Sequence, residues 1–171
     1  MLMEAMFETL EGEKQVFWAY EGKVGPCVDC RYCKTHPGCA LKDGFGELDQ
    51  AIRGSDNIII ASPVYFSELT GPLLSVASRF QCYWGQRFFQ KTEPLGGGRR
   101  GAILLAGGGN GRPDRALQTA RALLHTLNVQ QIEEPVMSLC TDRLPARQDE
   151  RALALARALG KKLSAGEQAN S

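Results

Sequence analysis

The chain has 171 residues, 43% of them hydrophobic and 23% charged, with a formal net charge of +1. That length suits one domain with a proper core, and so small a charge gives no general case for a nucleic-acid partner or an acidic membrane surface. No apolar run approaches a membrane span, and residues 1–10 carry Glu4 and Glu8 with no basic leader, so they predict a helix rather than an export signal and place the cysteines in a reducing cytoplasm.

Leu2, Met6 and Leu10 recur at helical spacing, with Phe7 beside them, and Gly12 stops that first amphipathic helix. Gln15–Tyr20 is β-branched and aromatic and predicts a strand. A cysteine-rich loop follows, then a short helix over Phe45–Ile52. Asn57–Ala61 is a continuous apolar strand of the kind found inside parallel sheets. Ser62–Thr70 is expected as a loop and Gly71–Phe80 as a helix. Gly101–Ala106 is a second buried strand, ending in a glycine-rich run. Pro113 suits the first turn of a helix reaching to about Leu127. Val129–Leu139 holds a final strand, Gln148–Leu163 a long amphipathic helix, and residues 166–171 a loose tail. The whole of residues 1–165 is expected as one domain with an inserted cysteine loop.

The loop carries Cys27, Cys30, Cys33 and Cys39 in the spacing C-x2-C-x2-C-x5-C. Two residues between thiols let successive sulfurs turn towards one small object, as in iron–sulfur sites. Pro37-Gly38 can bend the chain so that Cys39 returns as a fourth ligand. Zinc fits less well, because its knuckles usually come as two separated C-x2-C pairs. Free structural or redox-active thiols are the other reading, and a disulfide framework is the weakest. His36 lies inside the run, but four thiols make it a loop residue rather than a ligand. Cys82 and Cys140 sit in apolar surroundings, like ordinary buried thiols.

Strands alternating with helices imply a mostly parallel sheet covered on both faces. Ligands in such folds sit beyond the carboxyl ends of the strands. Two loops occupy such positions here, Ser62–Leu69 and Gly107–Arg112. The first begins Ser62-Pro63-Val64-Tyr65-Phe66, which by itself is as compatible with packing as with ligand binding. The second, Gly107-Gly108-Gly109-Asn110-Gly111, permits close backbone approach but matches neither the dinucleotide fingerprint nor the P-loop. Arg99, Arg100 and Arg112 flank these segments and read as a solvated basic surface before they read as a phosphate site.

The cysteine spacing, followed by Ser55-Asp56-Asn57-Ile58-Ile59-Ile60-Ala61-Ser62-Pro63-Val64-Tyr65-Phe66, then Leu69-Thr70-Gly71-Pro72-Leu73 and a glycine-rich strand end, resembles the NADPH-dependent FMN reductase family of flavodoxin-like proteins. Within it the chain is most similar to the iron–sulfur flavoprotein branch. The resemblance runs from the first helix to about Asn110. It implies a doubly wound parallel sheet. It also implies that Ser62, Pro63, Val64, Tyr65 and Phe66 wrap the ring of an FMN cofactor and that Gly107, Gly108, Gly109 and Asn110 meet its pyrimidine side. The four cysteines would then be ligands of a 4Fe-4S cluster.

Three departures from the family pattern stand out. The family opens on a strand and a loop like Gly-Ser-Pro-Arg…Gly-Asn-Thr that holds the FMN phosphate, and this sequence starts at the helix that should follow. The expectation is therefore a sheet without its usual first strand and phosphate loop. Gln15–Tyr20 and Asn57–Ala61 would then lie either side of a gap of roughly twice the normal 4.8 Å spacing. An upstream extension would be expected to restore the strand and tighten FMN binding. The usual Asp-Arg pair is Ser78-Arg79 here and the usual Asp-Asp is Asp43-Gly44, changes expected to affect packing.

The function so implied is an FMN-dependent oxidoreductase. It would pass electrons from NAD(P)H or a protein donor to a quinone, a free flavin, oxygen or a protein, as a homodimer or homotetramer. No general acid or base is required of the protein, and no amino acid is singled out as catalytic. The alternatives are a non-enzymatic electron carrier and a metal- or thiol-binding module that has lost its flavin.

Overall fold

A computed structural model describes residues 1–109 and 112–165. The helices are α1 (Leu2–Phe7), α2 (Phe45–Gly54), α3 (Gly71–Ala77), α4 (Gln81–Gly85), α5 (Asp114–Thr126) and α6 (Glu150–Ala165). The strands are β1 (Asn57–Pro63), β2 (Arg99–Gly107), β3 (Val129–Ile132) and β4 (Val136–Leu139). No described helix is long and apolar enough to cross a membrane.

The four described strands pair in parallel. β1 runs beside β2 from Asn57↔Arg100 to Pro63↔Ala106. On its other edge β2 meets β3 at Arg99–Gly101 and then β4 at Leu104–Gly107. The single strand expected over Val129–Leu139 is thus two short ones. They part at Glu133-Glu134-Pro135, where proline has no N–H to give to a ladder. Glu133 is buried there and held by ion pairs to Arg100, at 2.6 Å, and to Lys162.

Alternate residues of the strands serve opposite layers, as strand geometry requires. Ala102, Leu104, Ile59 and Val136 pack with Leu2, Met6, Ala156, Leu159 and Leu163 of α1 and α6. Ile60, Ile103 and Leu105 pack with Ala116, Ala120 and Leu124 of α5, and Ile58 reaches α2 and α4 as well. The result is a flavodoxin-like α/β/α layering, as expected.

Gln15–Tyr20 corrects the prediction. It forms no strand; only Ala19–Glu21 makes a single 3-10 turn. Val16, Phe17, Trp18 and Tyr20 are exposed. Their β-propensity reflects how well such residues fit a half-buried pleat, and among the described residues no strand pairs with them to bury them. The expected gap between this segment and β1 falls with it. What the described residues do have is a β1 whose edge away from β2 is joined by no strand.

The helix predicted over Gly71–Phe80 runs further. α3 leads through a 3-10 turn (Ser78–Phe80) into α4 and then a π turn (Gln86–Gln90), ending at Lys91 with φ 57°. The arginines are also corrected. Arg99 is buried and donates to the carbonyls of Ile52 and Arg53 at 3.2 and 3.0 Å, so neither it nor the Glu133-bound Arg100 is a solvated charge.

Candidate functional site

The cysteine loop is shaped against one helical run, residues 71–90. Ser78 Oγ accepts the N–H of Cys27 at 2.8 Å. Gln90, carried by the π turn, donates to the carbonyls of Cys33 and His36 at 2.9 and 2.8 Å. Gly85 lies directly under Cys33, where any Cβ would stand 3.0 Å from its sulfur. A π turn widens a helix and re-aims the side chains that follow it, which is why such turns recur at functional sites. Here it turns Gln90 onto the loop.

Arg79 joins the two ends of that loop. Its side chain is 0% exposed, and Nη1 meets Asp43 Oδ2 at 2.7 Å and the carbonyl of Gly25 at 3.1 Å. Nη2 donates to the Cys39 sulfur at 3.3 Å, and its Nε is buried without a partner. Asp43 also accepts the N–H groups of Gly25 and Phe45. The Arg79 guanidinium holds the Asp43 carboxyl below its ordinary range, and the two backbone donors add to this.

All four loop cysteines line one cavity of about 50 Å³, with Cys82, Trp84 and Phe89 forming the helix side. Cys27 and Cys30 are exposed, while Cys33 and Cys39 are half-buried. Burial pushes the Cys33 thiol up, and the three neighbouring cysteines push it further. Burial likewise raises Cys82, to about 12, and raises Tyr83, whose hydroxyl donates to Asp49 at 2.7 Å. Among the described residues no three His, Cys, Asp or Glu side chains already meet in a metal-holding group.

The donor set nevertheless fits an iron–sulfur cluster. Four cysteines line one space, with Arg31, Lys34 and Arg79 against Asp29 as the charged lining. Asp29 and Arg31 adopt left-handed backbone, φ 47° and 62°, on either side of Cys30. Such alternation makes the concave run of backbone N–H groups that receives anions, iron–sulfur centres among them.

The second site lies at the carboxyl edge of the sheet. Val64 donates its N–H to the carbonyl of Ala106 at 2.7 Å. Gly107 is buried so close to Val64 that a Cβ would stand 3.2 Å from the valine's. The two predicted loops are therefore neighbours. Ser62 is buried and accepts the N–H of Thr70 at 3.3 Å, which closes the first loop rather than facing outward. Pro63, Tyr65 and Phe66 are exposed, Phe66 completely, as are Gly108 and Gly109. Asn110 lies outside the described residues.

Tyr65 and Glu68 exchange both backbone hydrogen bonds at 3.0 Å around Phe66 and Ser67, whose φ values are 54° and 65°. This is the pattern of a type I′ turn built without glycine. Ser67 and Glu68 tie the turn to α5, through Ala116 N–H and the Thr119 hydroxyl.

A third segment, not singled out in the sequence, completes the edge. Asp142 accepts the Gly109 N–H at 2.8 Å, and Thr141 donates its own to Gly107 at 3.0 Å. It follows β4, so the rule that marked the other two loops marks this one too, once the last strand is divided correctly. Several backbone donors at this edge are thus engaged internally. The surface left open here is Pro63, the two exposed aromatics and the backbone of Gly108 and Gly109, with Val64 half-buried.

A family model described as NADPH-dependent FMN reductase matches residues 1–143. The chain belongs to the NADPH-dependent FMN reductase family. An iron–sulfur flavoprotein of Archaeoglobus fulgidus is 33% identical over 79 residues, covering 46% of this chain and 38% of the relative. One of Methanosarcina thermophila is 28% identical over 104 residues, 60% of this chain and 51% of the relative. A third, of Methanocaldococcus jannaschii, is 26% identical over 149 residues, 83% of this chain and 74% of the relative. The chain spans about half the length, or less, of the first two. An FMN-dependent NADH-azoreductase of Bacillus anthracis, solved with FMN, superposes with a TM-score of 0.66 at 16% identity, covering 95% of this chain and 88% of that one. A flavone reductase gives 0.67 at 16% identity, covering 98% and 56%. At those identities the likeness speaks for the fold.

Proposed function

We propose that the chain is an NAD(P)H-dependent flavin oxidoreductase. In this reading FMN lies over Ser62–Phe66 and the glycine run from Gly107 to Asn110, and a 4Fe-4S cluster is held by Cys27, Cys30, Cys33 and Cys39. The observation that carries it is the adjacency of Val64 and Gly107 at the carboxyl edge of parallel β1 and β2, where α/β sheets bind ligands.

When bound, the flavin supplies hydride acceptance and one-electron steps, and the cluster supplies single-electron transfer. The residues' own part is positional. Ser62 fixes the start of the loop, and Asp142 fixes Gly109 opposite it. Tyr65 and Phe66 offer an apolar wall that would exclude water from a ring laid against them. In the cysteine loop, exposed Cys27 and Cys30 would turn inward to join Cys33 and Cys39. The family name, the iron–sulfur names of the relatives and the left-handed residues around Cys30 support that assignment. The fully exposed Phe66 suits cover by a second copy of the chain, hence a homodimer or homotetramer.

The test is an absorption spectrum of protein purified without air, with iron, sulfide and flavin analysis, followed by NAD(P)H consumption with an artificial acceptor. Flavin bands, broad cluster absorption and steady turnover are expected. Colourless protein holding zinc would overturn both cofactor assignments. Bound flavin without NAD(P)H turnover would mark an electron carrier instead.

A further inference from the structure

We propose that Arg79 is the positioning residue of the four-cysteine site. Its buried fork fixes the spacing of the loop's two ends and aims an N–H at the sulfur of Cys39. This rests on the metal-site reading above and goes beyond it by naming what organises the ligands.

A guanidinium with no exposed surface is costly unless its donors are used. One carboxylate would neutralise the charge, and Asp43 provides it at 2.7 Å. Nε is left without a partner, and the other contacts of Nη1 and Nη2 go to the loop. Nη1 also reaches the carbonyl of Gly25, two residues before Cys27. Nη2 reaches the carbonyl of Leu41 at 3.5 Å, two residues after Cys39, and the Cys39 sulfur itself at 3.3 Å. The Phe45 ring lies 4.7 Å from the guanidinium carbon and closes the other face. A simple ion pair in the core would need neither the sulfur contact nor the grip on both ends.

The chemistry suits a thiolate ligand. Arginine stays protonated and presents its donors in a rigid fork, whereas lysine is a point charge on a flexible stem. A donor aimed at a sulfur is strengthened when that sulfur is ionised. Hydrogen bonds to ligand sulfurs and local charge are also among the terms that set a cluster's potential. A positive donor here favours the more electron-rich state, so its loss moves the potential to more negative values.

The experiment compares the full chain with R79K, R79Q and the double variant D43N/R79Q, in which no carboxylate is left unpaired should R79Q alone fail to fold. Two readouts are taken: Co(II) affinity of the metal-free protein, from its thiolate-to-cobalt absorption, and the reduction potential of the reconstituted cluster. Loss of an outer-shell partner typically weakens a metal site by about 10–100-fold. R79Q and D43N/R79Q are expected within that range, with a more negative potential. R79K keeps the charge without the fork, so its affinity falls by about tenfold while its potential stays near the parent's. Parent-like affinity and potential in R79K and D43N/R79Q would overturn the role of Arg79. A parent chain that takes up neither iron nor Co(II) on thiolates would overturn the metal-site reading itself, and the two failures are told apart by the parent alone.

Discussion

Gly85 and Cys33 are in contact: a Cβ added to Gly85 would lie 3.0 Å from the cysteine sulfur and 3.2 Å from its carbonyl oxygen. The helix bearing Gly85 and the loop bearing Cys33 therefore touch through backbone. In G85A the better helix propensity of alanine, about 1 kcal/mol, works against an overpacking cost of about 1–3 kcal/mol. A net stability loss of up to about 2 kcal/mol is expected by denaturant titration. Iron content after anaerobic reconstitution is expected to fall as well, because the strain lands on a proposed ligand. Unchanged iron loading would show that the loop can step away freely.

Phe66 is fully exposed in left-handed backbone, a costly combination for a bulky residue. Such strain amounts to about 1–2 kcal/mol and collects at functional sites. F66G is expected to raise stability by about 1 kcal/mol and to weaken FMN binding, read by thermal melting and by flavin fluorescence titration. A variant that gains stability and keeps its FMN affinity would remove Phe66 from the flavin wall.

Cys82 gives an alkaline signature. Its folded-state thiol is pushed up to about 12 by burial, from 9.0. A raised value means that its contribution is complete below pH 9.0 and fades as pH rises towards 12. Denaturant midpoints are expected to decline across that window, and C82A should decline less. In thiol labelling of metal-free protein at neutral pH, exposed Cys27 and Cys30 react first and Cys82 last.

Asp43 gives the acid signature. Arg79 lowers its folded-state value below 3.8, so the pair stabilises fully above that pH and is lost as pH falls through the lower folded value. D43N should flatten this part of the acid limb. At neutral pH it should cost about 3 kcal/mol, because it weakens the partner of a buried guanidinium. A D43N variant with parent-like stability at both pH 7 and low pH would contradict this.

What the sequence made legible follows the strength of local signals. Asn57–Ala61 and Gly101–Ala106 are short apolar runs of the kind found in buried parallel strands, and they pair as such, which brings their two following loops together. The cysteine spacing placed four thiols around one cavity. Gln15–Tyr20 failed because its aromatic content says nothing about whether a neighbour exists to bury it. The extension of the third helix through Gln90 was hidden by Gly85 and by aromatics that face solvent at Trp84, Phe88 and Phe89. The contacts of Arg79 and Gln90 with the loop span 36 to 57 positions of sequence, so no local pattern could announce them.

The same helical run begins at Gly71, directly after the loop that closes on Ser62, and ends at Gln90 under the cysteines. One helical run therefore sets both the separation and the relative rotation of the two loops. A residue inserted between Thr70 and Ser78 would advance everything beyond it by about 1.5 Å and turn it by about 100°. Ser78, Arg79, Gly85 and Gln90 would then swing away from the loop together. The number of residues in that stretch acts as a gauge length, and substitutions along it should be tolerated far better than any single insertion or deletion.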